Sequence, residues 1–317
     1  MIAFLFPGQG TQSPGMGRQA YKSSPEARNI FDQASRILGI NIADLCFGSR
    51  TAYLAKTEFA QPAIFVCNAA ILATVKEIRI QANVVAGHSV GELSALQASG
   101  ALTFEDGLRA VAYRGELMQR ASVGAMSAII GMPPHEITHL CDDAKSAGSI
   151  VVGLYNGPKH VVVSGDPAAV ELVEHMSKRV GALRIVRLPT NRAFHSPLMQ
   201  PVVDPWESYL ASMPIRVPEL PIVLGTSGRL TRDPEEIRQA TVEQFTRPIQ
   251  WTNVVRTLLD IGVTTALEVG DSKTLRGLNR MIDRHLEART TTDPHDMRLM
   301  SMSGVGTSVA SSGSDIT

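Results

Sequence analysis

The sequence predicts an α/β fold in which a large domain carries a small inserted domain. Over most of the chain, short apolar segments typical of buried strands alternate with helical segments that lack internal glycine and proline. At residues 82–98 an apolar segment, a glycine-flanked turn and a helical segment follow one another. Between residues 125 and 188 the elements become shorter and change their order. We therefore expect two structural units, of which the second interrupts the first.

The large domain is expected to begin with an apolar strand over Ile2 to Phe6, which a proline–glycine turn ends. Thr103 is placed to cap a helix that runs to Met118, because its side chain can accept a hydrogen bond from a free amide of the first turn. The other expected helices are Pro25 to Leu38, Pro62 to Ile78, Glu92 to Ala98, Leu198 to Leu210, Trp251 to Leu259 and Leu275 to Leu286. The other expected strands are 82–87, Pro221 to Leu224 and Thr265 to Val269.

The small unit is expected to have the element order βαββαβ, which is typical of a ferredoxin-like fold. Its expected strands are Ala125 to Ile130, Ile150 to Tyr155, His160 to Ser164 and Leu183 to Leu188. Its expected helices are Pro134 to Lys145 and Pro167 to Arg179. We place the catalytic large domain at residues 1–124 and 190–290 and the insert at 125–189. Residues 291–317 are expected to form a disordered tail, because Ser, Gly and Thr dominate from about residue 301 and leave little to bury.

Composition and charge exclude several function classes. The 317 residues carry 30 Lys and Arg against 30 Asp and Glu, so a polybasic mode of nucleic-acid binding lacks its electrostatic basis. Aromatic residues make up only 5%, which disfavours a stacking platform for single strands. No segment is expected to span a membrane, and the apolar N-terminus lacks the basic flank of a secretory signal. Three cysteines without CxxC spacing fit a reducing compartment, so we expect a cytoplasmic protein with free thiols.

A serine lies between two glycines in the segment GHSVG at residues 87–91, at an expected junction of strand and helix. The missing side chains of Gly87 and Gly91 let strand and helix approach closely, while the sharp turn exposes the Ser89 hydroxyl. This nucleophile-elbow pattern is common by chance, so it gains weight only from its place at the junction. A glycine turn with an ordinary helix-capping serine is the alternative.

A serine becomes a good nucleophile only when a base takes its proton. Among eight histidines, His195 stands out because it follows the last expected strand of the insert and precedes an expected helix. Its loop should face the cleft of the large domain. Spacing alone leaves a surface histidine or a satisfied core histidine as the alternative.

Six short segments occur in a characteristic order along the chain. They are FPGQGTQ at residues 6–12, TEFAQPA at 57–63, GHSVGE at 87–92, YRGELMQ at 113–119, AFHS at 193–196 and PIQW at 248–251. Together they closely resemble malonyl-CoA:acyl carrier protein transacylases and the acyltransferase domains of polyketide synthases, over roughly residues 1–287. The resemblance implies an α/β-hydrolase-like domain with a ferredoxin-like insert, in agreement with the periodicity.

The resemblance also implies a catalytic centre. Ser89 matches the nucleophile that takes the acyl group from coenzyme A as an oxyester, and His195 matches its general base. The backbone amides of Gln9 and Val90 match the oxyanion hole, in which two donors stabilise the tetrahedral oxyanion.

Five further residues match positions that shape this centre. Gln250 matches a residue whose backbone carbonyl orients the histidine in place of a carboxylate, while Gln61 and Asn156 match polar residues that line the cleft. Arg114 matches the residue that pairs with the free carboxylate of a dicarboxylic acyl group, although a helix arginine taken alone is usually a surface residue. Phe194 matches the Ala-Phe-His pattern of malonyl-selective members, in which the ring would crowd an α-methyl branch.

A competing pattern, HEITH at residues 135–139, fits the zincin signature H-E-x-x-H on an expected helix. Helical phase argues against a zinc site, because the apolar positions of this helix form one stripe and His135 and His139 fall on the opposite side. The sequence also offers no convincing third ligand. We therefore expect a solvated helix face and no metal.

The resemblance implies an enzyme that moves a malonyl group from malonyl-CoA to the phosphopantetheine thiol of an acyl carrier protein through a malonyl-Ser89 intermediate. No permanently bound cofactor is expected, since the coenzyme A thioester is a substrate. We expect a freestanding monomer that acts in trans. An acyl hydrolase that clears stalled carriers and a non-catalytic carrier-docking module are the alternatives. Arg114 argues against the first, and intact Ser89 and His195 argue against the second.

Overall fold

The computed structural model describes the backbone of residues 1–305 and the side chains of residues 1–302. Two β-sheets and the helices packed on them make up this part of the chain. Its strands are β1 Ile2–Phe6, β2 Val84–Gly87, β3 Ala125–Ile130, β4 Ile150–Gly157, β5 His160–Gly165, β6 Arg184–Arg187, β7 Ile222–Val223, β8 Leu230–Thr231, β9 Thr265–Glu268 and β10 Glu287–Thr290. The fold is therefore α/β, as expected.

The helices fall between these strands. They are α1 Arg18–Ser23, α2 Pro25–Leu38, α3 Ile42–Phe47, α4 Thr57–Glu77, α5 Gly91–Ala98, α6 Phe104–Arg120, α7 Pro134–Asp143, α8 Pro167–Arg179, α9 Val203–Ser212, α10 Pro234–Glu243, α11 Trp251–Asp260, α12 Thr274–Ile282 and α13 Pro294–Val305. Single 3₁₀ segments lie at Thr51–Ala55, Ala144–Ala147 and Pro197–Val202.

The larger sheet has the strand order β10-β9-β1-β2-β7-β8, and its pairs are parallel except for β7 with β8. Its central strands are buried, as expected for a parallel sheet covered by helices on both faces. Phe6 is paired with Gly87, so β1 and β2 end side by side. The loops that follow these two strands therefore lie next to each other at the carboxyl edge, where open α/β sheets bind ligands.

The smaller sheet has the strand order β4-β5-β3-β6, and all its pairs are antiparallel. Its elements follow the chain order β3, α7, β4, β5, α8 and β6. Apolar side chains from these strands and helices form a hydrophobic cluster of their own. Strand β4 also contacts the rest of the chain, because Tyr155 N–H donates to the Ile249 carbonyl at 2.8 Å and Ile249 N–H donates to the Gly153 carbonyl at 2.9 Å. These two bonds hold one edge of the small sheet against the large sheet's carboxyl edge.

Helix α4 corrects the expectation that no segment reaches the length of a membrane span. It begins at Thr57 instead of Pro62, since the proline lies inside the helix and does not start it. The helix has 21 residues, and its most apolar 18-residue window has a mean hydropathy of 1.4, so it is long and apolar enough to cross a bilayer. However, 78% of the apolar window is buried inside the fold, where α4 packs against α2, α5 and α6. Protein covers this apolar surface, as in a core helix.

The chain after residue 290 corrects the expected disordered tail over its first part. Strand β10 is followed by α13, which is tied to α12 because Arg276 pairs with Asp293 and Asp296 at 3.0 Å each. Met300 is 2% exposed and adds a buried apolar contact. The prediction failed here because the Ser-rich composition begins only after these anchoring residues. The remainder of the expected tail lies outside the described residues.

Candidate active site

Ser89 lies in the tight connection between β2 and α5, in a left-handed backbone conformation with φ of +53°. A Cβ atom on Gly87 would come within 2.1 Å of the Gly91 backbone. One on Gly91 would lie 2.1 Å from the Phe6 carbonyl oxygen. Only glycine fits at both positions, and the close approach stores strain at the serine between them. The glycine pattern therefore acts as the sequence analysis expects.

Ser89 and His195 are 106 residues apart in sequence and in contact in the fold. The Ser89 hydroxyl lies 2.8 Å from His195 Nε2. His195 Nδ1 lies 2.7 Å from the Gln244 backbone carbonyl, which can only accept, so the imidazole proton sits on Nδ1 and Nε2 accepts from the serine. His195 also has a positive φ of +58° and is 3% exposed. A buried, oriented imidazole thus faces the serine in the tautomer that a general base needs.

The backbone carbonyl that orients His195 belongs to Gln244. The expectation that Gln250 supplies this carbonyl is therefore wrong by six positions. Gln244 follows the last residue of α10, where helix carbonyls lack an intrahelical partner and are free to accept. Gln250 instead precedes α11, and its backbone N–H donates to the Gly225 carbonyl at 2.7 Å. Its neighbour in the PIQW segment, Ile249, contacts β4. The PIQW segment therefore contacts strand β4 and does not orient the histidine, whereas α10 was not predicted from the sequence.

The environment of His195 lowers the pKa of its imidazole from 6.5 to about 3. Burial is the main cause, and the positive charge of Arg114 adds to it, while the hydrogen bond to Gln244 opposes both. The imidazole is therefore neutral over the whole physiological range. A neutral imidazole can accept a proton from the Ser89 hydroxyl.

The rate of acyl-serine formation should accordingly stay constant between about pH 8 and about pH 5 at saturating thioester. An ordinary histidine base, with a pKa near 6.5, would lose about tenfold in rate for each pH unit below that value. Rapid-quench measurement of the acyl-enzyme across this range checks the expectation. A break in the acid limb near pH 6.5 would mean that His195 is not held neutral.

Arg114 is 1% exposed and lies beneath the serine, with Nη2 at 3.4 Å from Ser89 Oγ. Its Nη1 donates to Gln61 Oε1 at 2.8 Å and its Nη2 donates to Gln244 Oε1 at 2.7 Å. Among the described residues no carboxylate lies within ion-pair distance of this guanidinium, and buried Glu92 acts on it only as a nearby charge that raises its pKa. Burial lowers the pKa of Arg114 to about 10, which still leaves it protonated at neutral pH.

Glu92 has a buried carboxyl group close to Ser89. The burial of this group was not predicted from the sequence. Glu92 follows Ser89 by one helical turn and is 2% exposed. Its Oε2 accepts a hydrogen bond from Gly225 N–H at 2.6 Å, and its Oε1 has no partner among the described residues. Burial raises the pKa of Glu92 to about 7, against the Gly225 hydrogen bond and the positive charge of Arg114. A glutamate within the GHSVGE segment was visible, but only the fold reveals its burial.

Two backbone amides near Ser89 are free to bind an oxyanion. Among the described residues, neither Gln9 N–H nor Val90 N–H donates to a protein acceptor. The pairing of β1 with β2 brings the two loops that carry them together. The Gln9 side chain is fixed in turn, since it donates to Thr57 Oγ1 at 3.1 Å and accepts from Gln61 Nε2 at 3.2 Å. These contacts hold the first loop in place.

The cleft above Ser89 has a volume of about 180 Å³ and is mostly apolar. Phe194 forms part of its wall, and Ser164 Oγ fixes the adjacent backbone by donating to the Phe194 carbonyl at 2.6 Å. Asn156 reaches the cleft through His88, whose Nε2 lies 2.8 Å from Asn156 Oδ1. The cleft is therefore lined by both structural units, and it is large enough for a short acyl group.

The zincin pattern lies on the solvent-exposed face of α7. His135 and His139 are exposed on α7, while Ile137 and Cys141 of the same helix are buried. Among the described residues no group of three or more His, Cys, Asp or Glu could hold a metal ion. The three cysteines are buried as free thiols, as expected.

The fold and the site define an α/β protein with the serine–histidine pair typical of enzymes that transfer acyl groups through a serine. The family model described as "Acyl transferase domain" matches residues 3–283. The chain therefore belongs to the acyl transferase domain family.

Several characterised relatives are similar over nearly the whole chain. The malonyl CoA-acyl carrier protein transacylase of Bacillus subtilis (strain 168) is 35% identical over 302 residues, which cover 94% of this chain and 95% of that protein. The crystal structure of malonyl-CoA:acyl carrier protein transacylase (FabD) from Xanthomonas oryzae pv. oryzae has a TM-score of 0.91 and 34% identity, and the match covers 95% of this chain and 98% of that one. A chain from the structure of a type II PKS acyl carrier protein in complex with its malonyl-transacylase also matches, with a TM-score of 0.91 and 31% identity, and the match covers 95% of this chain and 99% of that one.

Proposed function

We propose that this chain transfers the malonyl group of malonyl-CoA to the phosphopantetheine thiol of an acyl carrier protein, with Ser89 as the nucleophile and His195 as the general base. The observation that carries the proposal is the guanidinium of Arg114, which lies 3.4 Å from the serine hydroxyl and forms no direct ion pair among the described residues. A positive charge that close to the nucleophile suits an acyl group with its own carboxylate. The names of the similar proteins, which are malonyl transacylases, support the same substrate and acceptor.

The first half-reaction acylates the serine. Ser89 Oγ attacks the thioester carbonyl as its proton passes to His195 Nε2, and the resulting oxyanion is bound by the amides of Gln9 and Val90. The Gln244 carbonyl stabilises the imidazolium, because it lies at the negative end of a helix and accepts its Nδ1–H. The carbon–sulfur bond then breaks, and coenzyme A leaves with the proton from His195.

The second half-reaction runs the same chemistry with a different thiol. The phosphopantetheine thiol of the carrier gives its proton to His195 Nε2 and attacks the malonyl-Ser89 ester. Collapse of the second tetrahedral intermediate returns the proton to Ser89 and releases malonyl carrier protein. Proton, acyl group and leaving group balance over the two steps, so the reaction draws on no permanently bound cofactor or metal.

We propose an α/β-hydrolase-like catalytic domain interrupted by a ferredoxin-like insert, supported by the order β4-β5-β3-β6 of the small sheet and by its element sequence. In this arrangement the insert contributes strand β5, whose Ser164 binds the Phe194 carbonyl, and it also forms one wall of the cleft. The protein acts as a monomer in the cytoplasm, where both coenzyme A thioesters and carriers are at hand.

An acyl hydrolase that uses water as the acceptor is the rival with the same serine and histidine. The test incubates the protein with malonyl-CoA, with and without a phosphopantetheinylated carrier protein, and follows malonyl carrier and free malonate. We expect malonyl carrier to form quickly and malonate to accumulate slowly when the carrier is absent. Malonate release at the same rate with and without carrier would identify a hydrolase.

The substitution Phe194→Ser should relax selection against methylmalonyl-CoA. The Phe194 ring lines the cleft, so we expect it to crowd an α-methyl branch, and the smaller hydroxymethyl group of serine should leave that space open. One methyl group accounts for modest discrimination, so we expect the methylmalonyl-to-malonyl ratio of kcat/KM to rise about tenfold. Competition between the two thioesters measures the ratio, and an unchanged value would place the selective wall elsewhere.

A further inference from the structure

Gln244 makes two short hydrogen bonds at the site, of which the function proposed above uses only one, and its side chain also lowers the pKa of the buried Glu92 carboxyl. Its backbone carbonyl orients His195 at 2.7 Å. Its side-chain Oε1 accepts a second hydrogen bond, from Arg114 Nη2, also at 2.7 Å. The residue is 2% exposed, so little solvent competes for either contact. A single residue therefore touches both the base and the guanidinium.

The surrounding chain holds Gln244 in this position. Its backbone N–H donates to the Ala240 carbonyl at 3.0 Å and closes the last turn of α10. The next residue, Phe245, is fully buried, and its ring centroid lies 5.4 Å from the guanidinium carbon of Arg114. Two consecutive residues thus fix Arg114, one through a hydrogen bond and the other through its ring.

The chemistry of the acceptors matters as much as their positions. Gln61 and Gln244 each offer Arg114 a neutral amide oxygen. An amide oxygen orients a guanidinium without cancelling its charge, whereas a carboxylate at the same place would pair with it. Each of these contacts uses one N–H of the Arg114 guanidinium, so further N–H donors of this group remain for a ligand. Arg114 is consequently held in place with its charge available.

We propose that the side chain of Gln244 is a specificity-determining positioning residue, which fixes the Arg114 guanidinium, without neutralising it, to receive the free carboxylate of the acyl group. This inference rests on the function proposed above. Because the backbone of the same residue orients His195, the carboxylate-binding group and the base are held at a constant separation. When Arg114 binds the carboxylate of the acyl group, the thioester carbonyl is then placed next to the Ser89 hydroxyl.

Two substitutions separate the side-chain role from the backbone role. Gln244→Leu keeps the backbone carbonyl on His195 and removes the acceptor for Arg114, so we expect the KM for malonyl-CoA to rise about tenfold and kcat/KM for acetyl-CoA to fall by a clearly smaller factor. Gln244→Glu keeps an acceptor but gives Arg114 a carboxylate partner. We expect the malonyl-to-acetyl ratio of kcat/KM to fall about 100-fold at neutral pH. Gln239→Leu, the same change on the outer face of α10, is the matched control and should behave as wild type.

The malonyl-to-acetyl ratio of kcat/KM distinguishes a positioning role of the Gln244 side chain from a purely structural one. An unchanged malonyl-to-acetyl ratio in both Gln244 variants, or an equal loss with both thioesters, would overturn the inference, because a purely structural role lowers all activities together. If Gln244→Leu melts below the assay temperature, Gln244→Glu decides, since it preserves the hydrogen bond and the packing volume. A wild-type protein that transfers no malonyl group would instead overturn the proposed function itself, and that result appears without any variant.

Discussion

Replacing His195 with alanine is expected to slow malonyl transfer by about 100- to 10,000-fold, the usual contribution of a positioned general base. The substitution removes the acceptor that lies 2.8 Å from the Ser89 hydroxyl. It leaves the backbone amides of Gln9 and Val90 in place, so some activity should persist above the uncatalysed rate. Single-turnover formation of the acyl-enzyme measures the effect without interference from product release.

The matched control for this change is His139→Ala, because His139 is exposed on α7 and away from the cleft. It should retain full activity. A His195→Ala protein that keeps its melting temperature and transfers malonyl within about threefold of the wild-type rate would show that another group takes the serine proton.

The second large effect concerns Arg114. The substitution Arg114→Ala is expected to lower kcat/KM for malonyl-CoA by about 100-fold or more and that for acetyl-CoA by less than about tenfold, because only the malonyl group has a free carboxylate to lose its partner. The loss of the positive charge should also raise the pKa of buried Glu92 further, since Arg114 now lowers it. Steady-state kinetics with the two thioesters give the comparison directly.

Arg114→Lys is the companion variant, because it retains a positive charge but not the planar fork. We expect it to recover only part of the malonyl selectivity, since an ammonium group cannot reach Gln61, Gln244 and a carboxylate together. Equal losses with malonyl-CoA and acetyl-CoA in both variants would mean that Arg114 supports the fold and not substrate selection.

Local signals in the sequence were sufficient for much of the scaffold. Helices α2 and α8 have the expected bounds, because each begins with proline at a first-turn position and a glycine follows the end of α2 in a left-handed conformation. The sharp turn around Ser89 was also predicted from the sequence, because close backbone contacts require glycine at both positions 87 and 91. Where residues near in sequence decide the geometry, the prediction succeeded.

The prediction of the carbonyl that orients His195 failed, because the packing of residues distant in sequence decides this contact. The contact between His195 and the Gln244 carbonyl joins residues 49 positions apart, and it depends on how α10 packs beside the cleft. A start signal for α10 was present, because Asp233 caps a helix whose first residue is Pro234. Even so, the direction of a free carbonyl at the other end follows from tertiary packing alone. The burial of Arg114 and Glu92 has the same origin, because helical periodicity does not reveal which polar side chains the fold encloses.

The central claim is that the malonyl group passes through an ester with Ser89. The most direct test incubates the protein with malonyl-CoA in the absence of a carrier, quenches with acid and measures the intact mass and its peptide fragments. We expect one malonyl adduct, located on Ser89, that is absent from Ser89→Ala and disappears when a carrier with a free phosphopantetheine thiol is added. A carrier that becomes malonylated while Ser89 never bears an adduct, or an adduct on another residue, would contradict the central claim.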